Sequence, residues 1–132
     1  MNWTKFALAV LASGIVVSLT DWFFFGVLFH DKYNTFPEVW RQSQSGNMAV
    51  WIVTGFFTSA IFIYTCGYLN LYEIGSALKL AVIIWLAVAL PIIVTNALFM
   101  KLDPLVAVTH SLGWLTRLAV AAICVGLILK KE

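Results

Sequence analysis

The side chains that could do chemistry in this chain are few, and they sit where ionisable groups are expensive. Asp21, Asn96, His110 and Arg117 each fall inside a run of apolar residues. A charge at mid-bilayer costs about 2.5–3.5 kcal/mol on insertion scales, so such groups turn inward, pair with one another or line water. Three chemistries fit the set. In the first, Asp21 pairs with Arg117 or His110 and fixes the register and rotation of the helices that carry them. In the second, the same groups are the polar end of a pocket for a lipid headgroup or small amphiphile, with Trp22, Phe23 and Trp114 as apolar walls. The third is a proton or ion relay in which Asp21 and His110 exchange charge.

Spacing decides which of these groups can meet. His110, Trp114 and Arg117 recur at i, i+4 and i+7, which is one face of a helix. Counted as helical rise from the outer ends of their spans, Asn96 lies about 6 Å down, His110 about 9 Å, Asp21 about 12 Å and Arg117 about 20 Å. Asp21 and His110 are almost level, and the long Arg117 side chain can reach up toward Asp21. Thr20 and Asp21 face that stripe if the first and last spans touch.

Catalysis lacks its parts. There is no GxSxG, no HExxH, no paired carboxylates and no phosphate-cradling glycine loop. His30 and His110 are the two histidines; they differ by about 9 Å in depth, and no Glu or Cys stands at ligand spacing to either. No metal, haem or other cofactor is expected from that arrangement. Cys66 and Cys124 lie toward one face in apolar surroundings without a CxxC, and read as small hydrophobes.

The elements that must position these groups are four apolar stretches, 6–29, 48–69, 77–100 and 104–129. Roughly 20 apolar residues in a helix cross the ~30 Å hydrocarbon layer of a membrane, and each stretch reaches that length. The chain is 62% hydrophobic and 11% charged, with a mean hydropathy of +0.95. Soluble domains carry about 25% charged residues, so a water-facing surface cannot be built from this supply. Residues 1–132 therefore read as one integral membrane domain. A scattered net charge of +2 points away from nucleic acid. Trp3, Trp40, Trp51 and Tyr72 fall near span ends, where amphipathic rings settle at the headgroups. The opening resembles a signal peptide, with Lys5 ahead of an apolar run, but that run continues to Phe29 and reads as the first span. Lys5, Lys79, Lys130 and Lys131 flank one side against Lys32, Arg41 and Lys101 on the other, which places both termini in the cytoplasm.

The connections at 70–76 and 101–103 are tight, so the helices they join are expected as antiparallel neighbours. Asp103 can cap the fourth span and Pro104 can open it. The long connection, 30–47, contains Thr35-Phe36-Pro37-Glu38 at capping-box spacing, followed by Val39 and Trp40. This predicts a short amphipathic helix lying in the outer headgroup layer. Pro91 removes a backbone bond from the third span and predicts a bend. Small residues four apart, Gly14 with Ser18, Gly55 with Ser59 and Ala122 with Gly126, mark faces for close helix packing.

Several of these residues carry a resemblance to a small bacterial four-helix membrane family, domain of unknown function 1761. They are Asn2-Trp3 opening the first span, the aromatic-rich exit from Trp22 to Tyr33, Asn96-Ala97-Leu98-Phe99 closing the third, and Gly113-Trp114 in the fourth. In that family the position before the first-span Trp is usually apolar, whereas here it is Asp21. The resemblance implies the fold and a bacterial inner-membrane setting, and it implies no activity.

The expectation is an all-α, four-transmembrane-helix bundle with a short interfacial helix in the first outer loop. Its expected role is non-catalytic: a membrane protein surrounded by lipid that self-associates as a homo-oligomer or serves as an accessory subunit of a larger membrane complex. The alternative is a small-molecule or ion-coupled carrier, or a lipid-binding protein, using Asp21, His110 and Arg117. A carrier needs a cavity lined by those three side chains.

Overall fold

Local chemistry starts each helix of the computed structural model, which describes residues 1–28, 47–101 and 103–130. Asn2 Oδ1 accepts from the backbone N–H of Thr4 and Lys5 at 3.0 and 3.1 Å, so helix α1 begins at Trp3, ahead of its apolar run. The regular helix spans Trp3–Asp21 and continues as wider π-type turns over Trp22–Leu28. Helix α2 spans Asn47–Tyr68. It ends in a left-handed turn at Asn70 (φ 58°), where Leu71 N–H donates to Cys66 O and Asn70 N–H to Gly67 O. Those two bonds are a Schellman closure, with Asn in the position that usually takes glycine.

Helix α3, Ile74–Phe99, loosens into π-type turns at Trp85–Ala89 immediately before Pro91. A proline has no N–H to donate one turn back, and wider turns are one way a helix absorbs that gap. Helix α4, Pro104–Leu129, starts on Asp103, whose Oδ1 accepts from Leu105 N–H at 2.8 Å. All four helices are long and apolar enough to cross a membrane. The interfacial helix expected around 35–40 lies outside the described residues, as do His30, Lys32, Trp40 and Arg41.

Helix α4 is the hub, packed by α1, α2 and α3, and half of its most apolar window is buried against 11% for α3. The tight turn at 70–76 does not make α2 and α3 packed neighbours. They flank α4 and barely touch each other. Small residues explain the choice. On α2, Gly55 lies at Val17 of α1, and Ser59 Oγ meets Ser13 Oγ of α1 at 2.9 Å. On α3, Ala77 and Ala81 are buried in a cluster with Leu118, Ala121, Ala122 and Val125 of α4. Each helix thus closes on the neighbour that matches its small-residue stripe.

Two glycines set the closest approaches. A Cβ on Gly14 would stand 2.2 Å from the Phe56 ring, and one on Gly126 would stand 2.1 Å from Ile74 Cγ1 and 2.9 Å from its backbone nitrogen. The Trp85 indole N–H ties α3 to α4 by donating to Ser111 O at 2.9 Å. Several threonine hydroxyls are satisfied within their own helices. Thr54, Thr58, Thr95 and Thr116 each donate to a carbonyl four residues back at 2.8–2.9 Å.

Candidate functional site

The site is built where α1 and α2 converge on α4. Asp21 is the last residue of the regular part of α1, Trp51 stands one turn into α2, and Trp114 and Arg117 follow each other on the inward stripe of α4. Arg117 Nη2 donates to Asp21 Oδ2 at 2.5 Å, and the two side chains are 4% and 7% exposed. Trp51 Nε1 donates to the same carboxylate oxygen at 3.1 Å. The guanidinium carbon lies over both indoles, 4.9 Å from the Trp51 ring centre and 4.8 Å from that of Trp114.

Each contact answers a specific electrostatic need. A buried carboxylate requires donors for its lone pairs, and Asp21 has one charged and one neutral donor on a single oxygen. Guanidinium is planar, delocalised and weakly hydrated, so it can stack on an aromatic face without surrendering a tight water shell. Each such cation–π contact contributes about 0.5–2 kcal/mol, the larger value applying where water is excluded. The side chains of Asp21, Trp51, His110, Trp114 and Arg117, with Gly113, pack against each other without room for a water molecule between them.

A second feature shares a wall with the first. An apolar cleft of about 370 Å³ opens between α2 and α3, with Trp114 and Leu118 of α4 as its floor. Phe57, Ile61 and Phe62 form one side, and Ile84, Val88 and Ile92 form much of the other. Its two threonines, Thr58 and Thr65, donate to carbonyls of their own helix, so the cleft offers no free hydroxyl. It exists because α2 and α3 each close on another helix.

Of the residues expected to form a polar cluster, Asp21, His110, Trp114 and Arg117 come together. Asn96 and Trp22 do not. Asn96 is exposed on the C-terminal segment of α3, where no residue between Leu90 and Phe99 is buried. Trp22 is 64% exposed, because the residue after Asp21 is rotated about 100° around the helix and points away from α4. Phe23 is likewise exposed. Trp51 was not legible as part of the site, since a tryptophan near a span end reads as a headgroup anchor. The usable signal was the second lone pair of a carboxylate in apolar surroundings, which asks for a further donor nearby.

At this site opposite charges are paired, and the Asp21 carboxylate takes donors from α2 and α4. Among the described residues, no group of three or more His, Cys, Asp or Glu is placed to hold a metal ion. Cys66 and Cys124 are free thiols. In comparisons with known proteins, the chain matches no family model, no curated protein and no solved structure.

Proposed function

We propose that this protein is a non-catalytic, multi-spanning membrane protein that acts by contact, associating with copies of itself or serving as an accessory subunit of a larger membrane complex. The observation that carries this reading is the close packing around the buried ion pair. Asp21 and Arg117 close on each other, and the side chains around them leave no space for a water molecule between them. A carrier or lipid-headgroup site built on Asp21, His110 and Arg117 requires such space, so the geometry favours the contact reading.

The surface left for neighbours is apolar. Helix α3 has the highest mean hydropathy of the four, 2.6, and the least burial. Bilayer lipid covers that face where no protein does. Following the basic-residue count and the family resemblance, we place the chain in a bacterial inner membrane with both termini in the cytoplasm.

The test is the mass of the particle that contains the chain when native membranes are excised into lipid nanodiscs at endogenous expression. A defined assembly larger than one 14.7 kDa chain is expected. A population made up of single chains alone would overturn the proposal.

A further inference from the structure

We propose that Asp21, Trp51 and Trp114 form a receptor for a guanidinium-class cation, filled in the resting protein by the chain's own Arg117. The inference rests on the reading of this cluster as a pairing site and adds the class of ligand it accepts. Aromatic faces with a carboxylate in a dry enclosure are the recurring composition of organic-cation cages. Here one cation lies over two indoles at 4.8 and 4.9 Å and reaches the carboxylate at 2.5 Å. The walls come from different helices, Asp21 from α1, Trp51 from α2 and Trp114 from α4, so the cage exists only in the folded bundle.

Three features select a planar, delocalised cation. The indole faces attract a flat guanidinium, which loses little hydration on entry. The Asp21 oxygen accepts an N–H from the cation, a bond that tetramethylammonium cannot make. Sodium is compact and strongly hydrated, offers no flat face to the indoles and has no N–H to donate, so it gains less than guanidinium for the water it gives up. Trp51 holds the carboxylate through its indole N–H, so one wall also orients the anion.

Shortening Arg117 to alanine vacates the cage and leaves the carboxylate facing two rings. The experiment measures the unfolding temperature of the purified full chain in nanodiscs, as wild type, Arg117→Ala and Asp21→Asn/Arg117→Ala. Each is titrated at low millimolar concentration with guanidinium, tetramethylammonium or sodium chloride. Arg117→Ala is expected to lose stability and to recover much of it with guanidinium, saturably, at about tenfold lower concentration than with either other cation. Wild type, whose cage is full, and the double variant, which lacks the carboxylate, are expected to respond to all three salts alike.

Recovery that is equal for the three cations, or that persists in the double variant, overturns the proposal. If Arg117→Ala does not accumulate, Arg117→Ser is expressed and purified with guanidinium present. Failure to obtain either variant under both conditions also overturns it. An Arg117→Ala protein that is destabilised yet indifferent to guanidinium removes the cage and leaves the pairing intact. An unchanged unfolding temperature removes the pairing itself.

Discussion

Replacing Asp21 by Asn, or Arg117 by Gln, breaks the central ion pair from one side at a time. Removing one partner of a buried pair costs about 3–5 kcal/mol, because the other charge stays behind without compensation. Two features of the structure pull the value toward the lower end. After Asp21→Asn the guanidinium keeps both indole faces, at 4.8 and 4.9 Å. After Arg117→Gln the carboxylate keeps the Trp51 N–H at 3.1 Å. Each single change is therefore expected to cost about 3 kcal/mol. The double change leaves two neutral amide side chains that can bond to each other, and should lose about as much as one single change alone. The implied interaction energy is about 3 kcal/mol, at the top of the usual range for contacting residues. At about 4 °C per kcal/mol for a chain of this size, each single variant should unfold about 12 °C below wild type. Thermal unfolding followed by circular dichroism in detergent and in nanodiscs reads all three variants. A double loss equal to the sum of the singles would refute the pairing, as would single variants within about 2 °C of wild type.

The glycines should separate by what their Cβ would meet. Gly126→Ala drives an atom into the backbone of Ile74 and Gly14→Ala into the Phe56 ring, so each should cost about 1–3 kcal/mol, the former more because backbone yields less. Gly75→Ala meets nothing within 4 Å and should be neutral or stabilising by up to about 1 kcal/mol in thermal unfolding. Ser13→Ala and Ser59→Ala remove the same interhelical hydrogen bond, and a double-mutant cycle should return a coupling of about 0.6 kcal/mol; a coupling of zero would mean that the two hydroxyls do not meet. A fluorescent protein fused after residue 132 should light up in the cytoplasm while an alkaline phosphatase fused there stays inactive. The opposite result would reverse the orientation.

How far the sequence could be read depends on which property decided each feature. Helix number follows from apolar length alone, and the start of α4 follows from Asp103 and Pro104, so both are legible without any tertiary information. Depth along a helix is also legible: rise per residue brings the long Arg117 side chain within reach of Asp21. Direction around a helix is much harder to read. Asn96 lies on a segment that is apolar on every side, and its polarity alone does not say which way it faces; in the structure it faces outward. Helix adjacency is harder still. The short turn at Asn70 suggests that α2 and α3 are partners, but pairing is decided by matching small residues on helices distant in sequence, Ser13 with Ser59 and Ala77 and Ala81 with Ala121 and Ala122. Trp51 was hidden for a related reason, because an indole suits both a headgroup layer and a buried carboxylate.

The first and fourth helices join through one ion pair whose two side chains are buried between them. Solid-state NMR in lipid bilayers tests it directly, by dipolar recoupling between ¹³C at the Asp21 carboxyl and ¹⁵N at the Arg117 guanidinium. A coupling that corresponds to direct contact, about 3–4 Å, is expected. No coupling above the natural-abundance background, with both side chains well ordered, would contradict the account.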